Sequence, residues 1–136
     1  MKPTILVAED DEDDVFILER AFQETEMAMK LQIVRNGDEA VDYLAGNGDF
    51  SDRVKFPLPV LVILDLKMPG RNGFEVLEWK QTRPELQFPM VILSSSPEDR
   101  DMRRARELGA GAYLIKPPTK ALLLGCFKQF CVPHPN

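Results

Sequence analysis

The chain has 136 residues, 44% of them hydrophobic and 29% charged; this suits one globular domain with a core of its own and excludes fibrous or disordered classes. Its net charge is −5, but six consecutive acids, Glu9 to Asp14, carry more than that and leave the rest close to neutral, so direct nucleic-acid binding is not expected and a local cation site is. Two cysteines, Cys126 and Cys131, lack metal or disulfide-framework spacing, no apolar run approaches about 20 residues and no signal pattern opens the chain; a cytoplasmic protein without membrane contact is expected.

The first predicted strand is TILVA, residues 4–8. Glu9 and Asp10 follow it, and Asp11 to Asp14 lead into a helix with an apolar stripe of Val15, Leu18, Ala21 and Phe22. Acids in a first helical turn favour the macrodipole. A second strand, LQIV (31–34), precedes a helix with Ala40, Val41 and Leu44 on one side. Residues 46–59, GNGDFSDRVKFPLP, exceed the usual helix-to-strand connection and read as a tolerated insertion in preference to a partner contact. The third strand, VLVIL (60–64), ends at Asp65 in LDLKMPGRNGFEVL, and the next helix has a weaker stripe of Phe74, Val76, Leu77 and Lys80. MVILS (90–94) is the fourth strand. Ser96 as N-cap, Pro97 as first residue, Asp99 as third and Gly109 as stop then punctuate a helix with Met102, Ala105 and Leu108 inward. The fifth strand, AYLI (112–115), ends at Lys116; a last helix starts at Thr119 and runs through KALLLGCFKQF, leaving residues 132–136 as a frayed tail. Nearly continuous Val, Ile and Leu mark strands covered on both faces, and five such alternations predict an α/β domain with a parallel sheet and right-handed crossovers.

In an open parallel sheet, ligands bind beyond the carboxyl ends of the strands. At that rim the sequence places Glu9 and Asp10, Asp65, Ser94 and Lys116. Taken singly, Asp65 reads as a turn former before Pro69-Gly70, Ser94 as a helix entry and Lys116 as a surface lysine. Their convergence at the same end of successive strands is what those readings leave unexplained.

The ordered set resembles the receiver domain of two-component response regulators, from Ile5 to about Phe130. The resemblance implies a flavodoxin-like (βα)5 doubly wound sheet of strand order 2-1-3-4-5, as a single receiver domain over residues 1–136 with no output domain. It implies Asp65 as phosphoacceptor, and Mg²⁺ held by Glu9, Asp10, Asp65 and the backbone carbonyl of Lys67; Mg²⁺ is a hard cation that takes oxygen ligands. Ser94 and Lys116 would stabilise the phosphoryl group, with Tyr113 as the switch aromatic, Lys67 and Ser96 at positions that tune acyl-phosphate lifetime, and Pro117 shaping the loop after strand five. Ser94 replaces the frequent threonine, and Pro118 after Pro117 is unusual in such domains.

Asp65 would form an acyl phosphate by nucleophilic attack, with a sensor histidine kinase as donor. The long loop and isolated receiver resemble the regulators that partner bacterial phytochromes. A downstream protein or a phosphotransfer protein would read a two-state shift at the face of helix four, strand five and helix five. The expected role is a switch and not a multiple-turnover enzyme. The alternative, a haloacid-dehalogenase-like phosphatase or phosphotransferase, needs a second acid two residues after the nucleophile for acid/base work, and Lys67 stands there. An EF-hand-type cation buffer does not fit, because adjacent acids lack the required spacing. On helix five, Leu122, Leu123, Leu124, Cys126, Phe127, Phe130 and Cys131 fill an arc of roughly 200° at about 100° per residue, wider than one core needs. Part of it should stay exposed and support a homodimer.

Overall fold

In the computed structural model, which describes residues 2–131, the strands are β1 (Thr4–Ala8), β2 (Lys30–Val34), β3 (Leu61–Leu64), β4 (Met90–Ser94) and β5 (Ala112–Ile115). They form one parallel sheet in the order β2-β1-β3-β4-β5, the expected topology. The helices are α1 (Glu12–Thr25), α2 (Gly37–Ala45), α3 (Gly73–Gln81), α4 (Asp99–Glu107) and α5 (Lys120–Phe130). The expected tail, residues 132–136, lies outside the described residues.

Successive strand side chains point to opposite faces, and the sheet divides two cores on that basis. Leu6, Ala8, Val62, Leu64, Met90 and Ile92 pack with Ala40 and Leu44 of α2, Val76 and Leu77 of α3, and Ala105 of α4. Ile5, Val7, Leu61, Ile63, Val91 and Leu93 pack with Leu18 and Ala21 of α1 and Leu123, Cys126 and Phe127 of α5. Burying each of these larger side chains contributes about 1.5 to 3 kcal/mol. This is why the strands read as continuous apolar runs.

Caps fix where the helices begin. Asp11 accepts from the N–H groups of Asp13 and Asp14, Asn36 caps α2, and Asn72 and Glu75 form a reciprocal capping box on α3. Thr119 caps α5, so that helix starts one residue later than expected. The entry to α4 corrects the sequence reading. Its N-cap is Glu98, without a side-chain capping bond, because Ser96 is engaged elsewhere: its hydroxyl donates to Asp101 Oδ2 at 2.6 Å and its N–H to Ser94 Oγ at 3.1 Å. Pro97 therefore lies in a loop. The stop is as expected, with Leu108 as C-cap and Gly109 at φ 95°. Of α4 only Ala105 is fully buried; Met102 and Leu108 stay half-buried.

Residues 46–59 are also more ordered than an insertion need be. They contain a 3-10 turn, Gly48–Ser51, and fold Phe50 and Phe56 against the fully buried Tyr43 of α2. Arg53 donates to the carbonyls of Tyr43, Leu44 and Phe56, and Tyr43 Oη donates to Pro57 O at 2.8 Å. The aromatics Phe50 and Phe56, unexplained in the linear reading, extend the core under the loop.

Candidate functional site

Ladder bonds that run one residue past the strand ends assemble the site. The Glu9 N–H donates to Val34 O, the Asp65 N–H to Ala8 O and the Lys116 N–H to Ser94 O, at 3.0, 3.1 and 2.9 Å. Ala8 lies in register with both Val34 and Leu64, so the residues after β1 and β3 emerge side by side. One carboxylate oxygen each from Glu9, Asp10 and Asp65 lies within 4.8 Å of the others. Glu9 is buried, Asp65 half-buried and Asp10 exposed.

Lys116, 51 to 107 residues away from its partners in the chain, reaches into this cluster. Its ammonium donates to Glu9 Oε1 at 2.5 Å, Asp14 Oδ2 at 2.7 Å and Asp65 Oδ2 at 3.2 Å. Burial raises the Glu9 pKa to about 7; the Lys116 bond lowers it in part, and the nearby Asp65 adds to the rise. Burial disfavours the Lys116 ammonium, but the bonds to Asp14 and Glu9 and the charge of Asp65 outweigh it and hold its pKa above the ordinary lysine value. Three acids crowd one cation, and the buried one bears the cost as a raised pKa.

Ser94, the last residue of β4, is buried, and its hydroxyl accepts the Ser96 N–H. Tyr113 of β5 is half-buried and donates from Oη to Ser96 O at 2.8 Å. The switch candidates Ser94 and Tyr113 are thus joined, through the lifetime-tuning candidate Ser96, by hydrogen bonds across the β4–α4 loop. Lys67 has an exposed side chain, and its N–H approaches Asp65 Oδ1 at 3.4 Å. The Lys116–Pro117 peptide bond is cis. Gly73, at the start of α3, closes the back of the site: a Cβ there would stand 2.5 Å from the Asp65 backbone oxygen.

The donor set tests for a metal. Three carboxylates offering oxygens to one point suit a hard divalent cation and not a thiophilic one; Glu9, Asp10 and Asp65 fit Mg²⁺. Asp14 is the contact that reading along the chain missed. Its place in the first turn of α1 explained it as a dipole-compensating acid, and its partner is 102 residues distant. The signal in the sequence was a surplus: the run Glu9 to Asp14 holds three more acids than a metal site and a helix cap require.

A response regulator receiver domain family model matches residues 5–127. Among curated relatives, the probable methanogenesis regulatory protein FilR2 of Methanothrix harundinacea is 35% identical over 117 residues, covering 83% of this chain and 71% of that protein. Among solved structures, the bacteriophytochrome response regulator RtBRR superposes with a TM-score of 0.86 at 33% identity, covering 100% of this chain and 82% of that one. The phosphorylated cyanobacterial phytochrome response regulator RcpA superposes with a TM-score of 0.82 at 27% identity, covering 96% and 94%.

Proposed function

This chain belongs to the response regulator receiver family, and from that premise we propose that it accepts a phosphoryl group on Asp65 from a sensor histidine kinase and signals by a change of conformation. The observation that carries the proposal is the meeting of Glu9, Asp10 and Asp65 with the Lys116 ammonium at one strand-end rim. Phosphoryl transfer needs positioning and charge neutralisation more than covalent assistance. Glu9, Asp10, Asp65 and the Lys67 carbonyl would hold Mg²⁺, which would supply positive charge to the phosphoryl oxygens. Lys116 supplies a second positive charge, and Ser94 offers a hydroxyl donor.

Ser94 turning toward the phosphoryl group releases its bond with the Ser96 N–H, and Tyr113, tied to Ser96 O, registers the change. Lys67 and Ser96 set how long the acyl phosphate lasts, and Pro117 shapes the loop that presents Lys116. The family consists mostly of non-enzymatic signalling proteins, and the exposed lysine two residues after Asp65 supports a switch over a phosphatase. Likeness to RtBRR and RcpA supports a phytochrome-type kinase as donor. No helix among the described residues is long and apolar enough to cross a membrane, in keeping with a cytoplasmic role.

The output is read at the face of α4, β5 and α5, by a downstream or phosphotransfer protein or by a second copy of the chain. Support for the homodimer comes from the apolar arc of α5: Leu123, Cys126 and Phe127 are buried and Phe130 and Cys131 pack partly buried against the same core, while Leu122 and Leu124 stay half-buried outside that cluster. Incubation with acetyl phosphate and magnesium, followed by intact-mass measurement, tests the acceptor. Acid-labile mass gain in the parent and none in Asp65→Asn is the expected result; label that persists in Asp65→Asn would remove the assignment. Light scattering with and without a phosphoryl mimic tests the dimer, and a monomer at every concentration would refute it.

A further inference from the structure

We propose that Asp14 is a positioning residue that restrains the Lys116 ammonium and thereby slows phosphoryl transfer to Asp65, an inference that rests on the acceptor role given to Asp65 above. An ammonium has three N–H donors. Here each has its own carboxylate: Glu9 at 2.5 Å, Asp14 at 2.7 Å and Asp65 at 3.2 Å, so the longest bond goes to the acceptor. Glu9 and Asp65 also share the cation cluster with Asp10. Asp14 has no place in that cluster, and its only side-chain bond in the described residues is to Lys116.

The local structure makes this contact a fixed one. The Asp14 N–H donates to the cap Asp11 at 3.1 Å, which fixes the first turn of α1 and with it the backbone from which the Asp14 carboxylate reaches Lys116. The bond to Glu9 is short and lies between side chains only 6% and 13% exposed, whereas Asp14 is 35% exposed. Water competes for the Asp14 bond more readily, so this is the donor that must be redirected when a phosphoryl group arrives.

In the transfer, one Asp65 carboxylate oxygen bonds to phosphorus while the bond from phosphorus to the leaving group breaks, phosphorus–nitrogen for a phosphohistidine and phosphorus–oxygen for acetyl phosphate, the leaving group taking the electron pair. With acetyl phosphate the leaving group is acetate. Asp14 opposes this step through its bond, which keeps an ammonium donor from the incoming oxygens.

The test measures the rate of Asp65 labelling by acetyl phosphate and magnesium, by intact mass, in the full chain and four variants. Asp14→Asn, which keeps the shape, and Asp14→Ala, which removes the group, should both label about threefold faster or more. Asp14→Glu, which restores the carboxylate, should return toward the parental rate. Asp13→Asn removes an equal charge one residue away without touching Lys116 and should label at the parental rate. Acceleration by Asp13→Asn equal to that of Asp14→Asn would overturn the proposal in favour of a general field effect, as would parental or slower labelling of both neutral Asp14 variants. Failure of the parent chain to label at all would overturn the acceptor role itself, and this inference with it.

Discussion

Lys116 and Arg53 each donate to three oxygens, one at the rim where the strands end and the other at the rim where they begin. The oxygens differ. Lys116 meets three carboxylates, of Glu9, Asp14 and Asp65, which repel one another. Arg53 meets three neutral carbonyls, of Tyr43, Leu44 and Phe56, at 2.7, 2.9 and 3.2 Å. The first two belong to the last turn of α2, where helical donors run short and the dipole favours a cation; Tyr43 O also accepts the Gly46 N–H at 3.2 Å. A planar guanidinium holds such a fork rigidly, while an ammonium on a flexible stem can exchange partners. The Arg53 cluster is therefore a clasp with its bonds satisfied, and the Lys116 cluster keeps an excess of negative charge that a metal and a phosphoryl group can exploit.

The contrast predicts that function and stability separate between the two rims. The largest effect is expected from Asp10→Ala, which should weaken Mg²⁺ binding about a hundredfold or more, while Arg53→Ala leaves it unchanged; calorimetric titration of both variants decides. Next, Lys116→Ala should slow Asp65 labelling about a hundredfold with Mg²⁺ affinity largely retained. Arg53→Ala should label at the parental rate, and slowed labelling there would erase the distinction. In urea unfolding, Arg53→Ala should lose about 2 to 3 kcal/mol, because charged hydrogen bonds to buried carbonyls are broken.

The raised Glu9 pKa gives a pH signature confined to the functional rim. Folded, Glu9 keeps its proton up to about 7; unfolded, it releases it near 4.5. Between those values the folded chain binds more protons, so its contribution to stability is greatest below the lower value and falls as pH rises through the upper one. The melting temperature without magnesium should decline across that window, and Glu9→Gln should flatten the decline. The smallest effect is expected at the other rim, where Tyr43→Phe removes the bond to Pro57 O and should cost about 1 kcal/mol with labelling intact.

Much of this architecture is legible along the chain. Each strand ends within a residue of where its apolar run stops, so Glu9, Asp10, Asp65, Ser94 and Lys116 fall on one rim without any knowledge of contacts. Asp11 to Asp13 behave as a cap and first turn, as local rules require. Where the linear reading failed, a tertiary partner had claimed a local group. Ser96 suits an N-cap by type, but Asp101 and Tyr113 engage its hydroxyl and carbonyl, and α4 starts later.

What the sequence determined by itself is the set of elements and the position of the reactive groups at strand ends, because apolar periodicity and helix caps act over a few residues. What only the tertiary structure decided is which partners the long cations take. Lys116 finds Asp65, Asp14 and Glu9 at separations of 51, 102 and 107 residues, and Arg53 turns back onto the end of α2. A flexible charged side chain can reach any of several acids or carbonyls. The order of the strands and the docking of α1 and α2 against the sheet select among them.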